Sequence, residues 1–425
     1  MARAVPPASA APCHRKPSSA PRRPPRRLQC VPQTDQRPAA VRPAPVLALV
    51  AVVLVALTLR GPVASVGPLL DEVRAVRGLQ GAGAALLPAL PLLCFGLLAL
   101  TAPRLAGRLG LHRAVLVGVV VLAAGVALRG AGTPGLFAGT LLLGTGIAVV
   151  NVLLPAVVKA DFADRLPLAT ALTTSSIATS ASLGAGLAEP LRSATGGPLS
   201  SLGLWLVPVL VGLVAWVPLA RARHGGPVPG ATHVLPLLRD PVARAVTAYF
   251  GLQSLAFYTL LAWLPAVLEE AGVPEARAGG MLAVAAFLGA PVAFLVPRLC
   301  ARARDQRPVV LLVALPTAVG LAGLLLAPGS APWLWAVLLG AGTGAAFPLA
   351  LTLVLLRAVD SAQAARLSAC AQGVGYVLAS AGPFAAGLVR EAAGRWEPAL
   401  GLLLVLLVLQ VVVGLVAARD RRVRG

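Results

Sequence analysis

From Val46 onward the chain is a succession of apolar runs of roughly 18 to 25 residues, the length a helix needs to cross about 30 Å of hydrocarbon at 1.5 Å per residue. Twelve such runs are present, at about 46–70, 81–102, 114–131, 135–158, 167–188, 202–220, 245–268, 278–297, 308–327, 333–356, 367–388 and 398–418. They lack the alternation of barrel strands, and backbone groups in lipid must be satisfied within the segment, so the runs are expected to be helices. Only 12% of the 425 residues are charged and 58% are hydrophobic, against about 25% charged in an ordinary soluble domain. A soluble enzyme is thereby excluded. The net charge of +21 would suit nucleic acid only on a polar fold able to display it, so no nucleic-acid partner is expected.

The basic residues set the topology instead. With both termini on one side, the tail, five connecting loops and the C-terminus hold 28 Lys and Arg, while the opposite side holds 7, Arg129 among them. That asymmetry places both termini in the cytoplasm of a multi-pass plasma-membrane protein. Residues 1–45 hold eleven prolines and nine basic residues against one acid, Asp35, a composition that predicts a disordered cytoplasmic tail. The five cysteines are scattered without a disulfide framework or metal-ligand spacing; no cofactor and no metal are expected.

A shift of 198 residues relates the two halves. It carries Asp71 and Glu72 onto Glu269 and Glu270, Gly144-Thr145-Gly146 onto Gly342-Thr343-Gly344, and Lys159 onto Arg357. The expected fold class is therefore an all-α membrane protein of twelve helices in two pseudo-symmetric six-helix bundles, residues 46–220 and 245–418, joined by a cytoplasmic linker at 221–244 and closed by a cytoplasmic C-terminus at 419–425. Such bundles rock about a site near the bilayer midplane.

One basic residue falls deep inside a run. Arg60 lies about fourteen residues into the first span, roughly 21 Å from one edge and about 15 Å from the other, too deep for easy snorkelling. A charge there costs at least about 2.5 to 3.5 kcal/mol on insertion scales, so it should face a wet cavity and find a partner. No acid lies within any span. The candidates are carbonyls freed by Gly61-Pro62, or an anionic or dipolar substrate gripped by the guanidinium; the competing reading is an Arg satisfied by carbonyls that only staples the helix. Larger polar side chains extend the candidate binding set: Asn151, Gln253, Ser254, Tyr258, Gln372 and Tyr376. Ser368, Gln372, Tyr376 and Ser380 repeat every fourth residue and share one helix face. Thr173, Ser176 and Ser180 fall at i, i+3 and i+7 in the fifth span and share a face, where hydroxyls commonly hold helices together.

The loop Ala102-Pro103-Arg104-Leu105-Ala106-Gly107-Arg108-Leu109-Gly110-Leu111-His112-Arg113 resembles the G-x-L-a-D-R-x-G-R-R signature of the major facilitator superfamily. The resemblance implies a gating role for Arg108, Gly110 and Arg113. Gly107 stands where the signature has its acid, so no carboxylate serves a gate here. The segment from Leu59 to Glu72 resembles the first-span pattern of the cyanate and 2-nitroimidazole transporter family of that superfamily. Asn151 to Lys159, Gly251 to Ser254 with Tyr258 and Trp263-Leu264-Pro265, and Leu367-Ser368 with Gln372, Gly375 and Tyr376 resemble that family as well, over roughly residues 46–418.

The resemblance implies passage of small compounds: cyanate import in one type of member, nitroimidazole efflux in another. The expected function is a secondary transporter, a monomer in the bilayer, that moves a small anionic or dipolar compound by alternating access with Arg60 in the central cavity. With no titratable group in the pathway except near the outer ends, at Asp71, Glu72 and Glu189, movement by facilitated diffusion or exchange is expected. The alternatives are a proton-coupled multidrug or metabolite exporter of the same fold, which would need Glu189 or Asp71, and a sensor that binds without flux. An enzyme is not expected, because no acid, base or metal cluster lies near the lipid plane.

Overall fold

The structure, a computed structural model, describes residues 45–79, 81–222 and 234–423. The expected disordered tail, apart from Pro45, and the middle of the expected linker lie outside these residues. The described chain is helical: α1 (Pro45–Ala56), α2 (Gly61–Ala64), α3 (Leu70–Arg77), α4 (Gly81–Ala99), α5 (Ala102–Leu109), α6 (Leu111–Leu128), α7 (Gly132–Asp161), α8 (Leu166–Thr195), α9 (Pro198–Leu204), α10 (Leu206–Ala222), α11 (Pro241–Glu270), α12 (Glu275–Arg302), α13 (Arg307–Leu326), α14 (Pro332–Arg357), α15 (Ser361–Ala393) and α16 (Glu397–Ala417).

Every predicted span finds a helix or a helix pair. Nine segments among the described residues are long and apolar enough to cross a membrane, and the bent pair Leu90–Ala99 with Ala102–Leu109 makes a tenth. Two helices of full spanning length, α8 and α15, fall outside that set; they carry the Ser, Thr, Gln and Tyr stripes noted in the sequence. Large apolar side chains such as Leu97, Val214, Phe287, Leu326 and Phe384 point away from the protein. Facing lipid, they cost nothing that water would exact.

The first span departs from expectation. The sequence predicts a continuous helix over 46–70, but α1 ends at Ala56 and the short α2 starts at Gly61. The cause is local: Pro62 has no N–H to donate, and its ring disfavours a helical residue before it. The second span bends by 55° at residues 100–101, just before Pro103. In each half neighbouring helices pack in pairs, α6 and α4 on α7, α11 on α15 and α16, and α13 on α14. Between the halves α8 lies on α12, and α15 on α4 and α7. A cavity lies along the first of these seams.

Candidate functional site

The break in the first span creates the need that Ser180 fills. Unwinding at residues 57–60 strips backbone groups of helical partners, and each unpaired group in an apolar surrounding is costly. The Ser180 hydroxyl on α8 accepts from the N–H of Gly61 at 2.8 Å and of Arg60 at 3.3 Å, and it donates to the Leu57 carbonyl at 2.5 Å. The approach is close because two glycines meet there; a Cβ on Gly184 would lie 2.6 Å from the Gly61 carbonyl oxygen.

Arg60 projects from this break into a cavity of about 110 Å³ between α8, α11, α12 and α14. Its Nη1 donates to Tyr258 Oη at 3.4 Å, and its guanidinium carbon sits 4.9 Å from the centroid of the Phe347 ring, within cation–π range. Its Nε is buried without a hydrogen-bond partner. Among the described residues no carboxylate pairs with it; the charged or polar groups that act on it are the hydroxyls of Tyr258 and Tyr376. The Tyr376 hydroxyl is likewise buried and unpartnered, its ring held edge-on against Phe250 at 5.2 Å and tilted against Phe95 at 5.4 Å. Gln253 and Ser254 also line the cavity. The Gln253 amide donates to Ser254 Oγ at 2.6 Å and to the Phe250 carbonyl at 3.1 Å, so the two side chains largely satisfy each other.

Arg60, Gln253, Ser254, Tyr258 and Tyr376 thus share one cavity. Asn151 and Gln372 do not line it: the Gln372 amide is spent on the Asn151 carbonyl at 3.1 Å and on Ser368 Oγ at 2.8 Å, and Asn151 Nδ2 is buried without a partner. Arg108, on α5, and Arg113, on α6, are exposed and stand away from the cavity. Gly110 joins the two helices with φ +82°, a left-handed turn that favours glycine.

The wall also contains groups that the sequence reading passed over. Phe257 and Phe347 supply aromatic faces, and Thr174 and Thr343 supply hydroxyls. Arg129, expected in an outer loop, is buried at 1% exposure; its Nη1 donates to the Pro62 carbonyl at 2.7 Å and its Nε to Thr140 Oγ1 at 3.2 Å. Arg60 is therefore not the one buried cation of the fold, because Arg357 is buried as well, donating to the Ala417 and Ala418 carbonyls at the end of α16. Some titratable groups outside the cavity are engaged. His112 Nε2 and Asp161 Oδ2 lie 2.9 Å apart outside the cavity, and Arg192 binds both Glu189 and Glu72.

Comparison with known proteins agrees with this architecture. Residues 46–386 match the Major Facilitator Superfamily. The chain is 35% identical over 382 residues to the 2-nitroimidazole transporter of Escherichia coli, covering 89% of this chain and 97% of that protein. It is 32% identical over 350 residues to the cyanate transport protein CynX of the same organism, covering 82% and 91%. The crystal structure of the E. coli fucose:proton symporter FucP superposes with a TM-score of 0.69 at 13% identity, covering 89% of this chain and all of that one; at that identity the likeness speaks for the fold alone. These relatives are transporters, not enzymes. The chain belongs to the major facilitator superfamily, in its cyanate and 2-nitroimidazole transporter family, and is a multi-pass membrane protein of the secondary-transport class.

Proposed function

We propose that the protein carries a small planar compound with an anionic or nitro end across the plasma membrane by alternating access, with Arg60 gripping that end. The observation that carries this reading is a cation that, among the described residues, has no counter-ion: Arg60 lines the cavity with no carboxylate partner and an unpaired Nε, beside the unpaired hydroxyl of Tyr376. A part-buried guanidinium without a fixed acid offers its N–H donors to a substrate's negative end.

Size and wall chemistry narrow the compound. The cavity, about 110 Å³, is of the order of the roughly 150 Å³ void that holds a single benzene ring, which favours one ring over a larger drug. Cyanate would fill the Arg60 end and leave the Phe257 and Phe347 faces uncovered, so the aromatic walls favour a ring compound such as a nitroimidazole. In this reading residues 46–220 and 245–418 are the rocking bundles of a monomer, both termini are cytoplasmic, and Arg108, Gly110 and Arg113 belong to its gate. Transport proceeds by facilitated diffusion or exchange, since Glu189 and Glu72 are tied to Arg192.

Uptake of radiolabelled 2-nitroimidazole and cyanate into vesicles holding the purified protein tests the proposal. Arg60→Ala should abolish saturable uptake. Uptake equal to wild type, or stoichiometric acidification of the lumen, overturns it.

A further inference from the structure

A second concavity, separate from the Arg60 cavity, lies on the face of α5, α6 and α7. It measures about 380 Å³ and is lined by Thr101, Arg104, Leu105 and Arg108 at one end and by Val117, Gly118, Val121, Thr145, Gly146 and Val149 along its length. Arg104 and Arg108 are one helical turn apart on α5 and so share a face. Both are exposed, and among the described residues neither forms an ion pair or a side-chain hydrogen bond. Gly107 stands between them, so α5 carries no acid to neutralise them.

The rest of the groove is apolar and shaped for something thin. Gly118 and Gly146 let α6 and α7 approach until a Cβ on Gly146 would be 2.5 Å from the Gly118 carbonyl oxygen, and the furrow follows that seam. The one hydroxyl along it, on Thr145, is satisfied by the Leu141 carbonyl at 2.7 Å. From Leu111, where α6 begins, to Val121 at the far end is ten residues, about 15 Å of helix. That is half of a roughly 30 Å hydrocarbon core, the depth of one leaflet. Two free guanidiniums at the interface above a leaflet-deep apolar furrow fit one molecule with a phosphodiester head and an acyl tail, since Arg pairs bind phosphate bidentately and basic recesses beside membrane helices bind anionic headgroups.

We propose that this groove is a binding site for an anionic glycerophospholipid, with the phosphate on Arg104 and Arg108 and one acyl chain lying along the seam of α6 and α7 as far as Val121. The site is separate from the transport cavity and stands whatever compound that cavity carries.

Native mass spectrometry on delipidated, detergent-purified full-length protein tests it, with phosphatidylglycerol and phosphatidylcholine of identical chains as probes and inorganic phosphate as competitor. Wild type should retain one phosphatidylglycerol at least fivefold over phosphatidylcholine. Arg104→Gln with Arg108→Gln should bring the two lipids to parity. Val121→Phe, which fills the furrow and leaves both arginines, should also reduce retention of the tailed lipid. Parity in wild type, unchanged preference in the double variant, or displacement of the lipid by equimolar inorganic phosphate overturns the proposal. Should the double variant aggregate, the wild-type ratio and the Val121→Phe result decide.

Discussion

Arg60 Nη1 donates to Tyr258 Oη at 3.4 Å, and the two residues stand 198 positions apart, the interval that superposes the halves of the sequence. Equivalent positions in two related bundles meet only close to the axis between them, where carriers of this build keep their site. One half supplies the cation and the other the hydroxyl. Because the contact is long, Tyr258→Phe should cost about 1 kcal/mol of binding, or roughly a fivefold rise in KM for 2-nitroimidazole uptake with little change in maximal rate. Concentration-dependent uptake into vesicles measures this, and an unchanged KM would show that the hydroxyl takes no part.

Ser180 supports the same site from behind. Ser180→Ala removes the acceptor for Gly61 N–H and the donor to the Leu57 carbonyl, and each unsatisfied group in such a place costs about 1–3 kcal/mol. The variant should melt at a lower temperature, and its KM should rise because the turn that aims Arg60 loosens. A variant that melts early but keeps the wild-type KM would confine Ser180 to a structural part.

Much of this was readable in the sequence, and what was not has physical causes. The spans are legible because length and apolarity define a membrane helix, and α8 and α15 are legible despite their polar stripes because the runs at 167–188 and 367–388 are long enough and carry no charge. Arg60 stood out because a charge in the middle of an apolar run has no cheap explanation. Arg129 escaped notice since it ends α6 beside Gly130, where an interfacial arginine is ordinary; only the fold brings the Pro62 carbonyl to it. Phe257 and Phe347 could not be told from the phenylalanines that face lipid. Asn151 and Gln372 look like binding groups in sequence, yet the structure engages Gln372 with the Asn151 carbonyl, a contact between residues 221 positions apart.

Gly61 is required for packing as well as for the break. A Cβ there would lie 2.2 to 2.8 Å from the six-membered ring of Trp205, which is itself buried. Gly61→Ala should destabilise the protein by about 1–3 kcal/mol, as overpacking of a full interior does. Combining it with Trp205→Leu removes the ring that clashes, so the double variant should melt higher than Gly61→Ala alone, a coupling that a double-mutant cycle in thermal unfolding reads directly. Strict additivity would mean that the strain lies elsewhere.

Lys159 joins the halves at the other end of α7. Its Nζ donates to the Leu355 and Ala358 carbonyls, at 2.5 and 2.6 Å, where α14 terminates. The last turn of a helix leaves carbonyls without intrahelical partners and carries partial negative charge, so an ammonium there is favourable on both counts. The contact exists only while this end of the two bundles is together, and it therefore biases the equilibrium toward that arrangement by whatever it contributes. At about 1 kcal/mol, its loss in Lys159→Gln shifts the ratio of the two arrangements roughly fivefold. Hydrogen exchange at residues 355–360 should then accelerate by about that factor, whereas Lys159→Arg, which keeps a cation at the helix end, should exchange close to wild type. Equal exchange in all three proteins would assign the closure of this end to the packing of α15 on α4 and α7 instead.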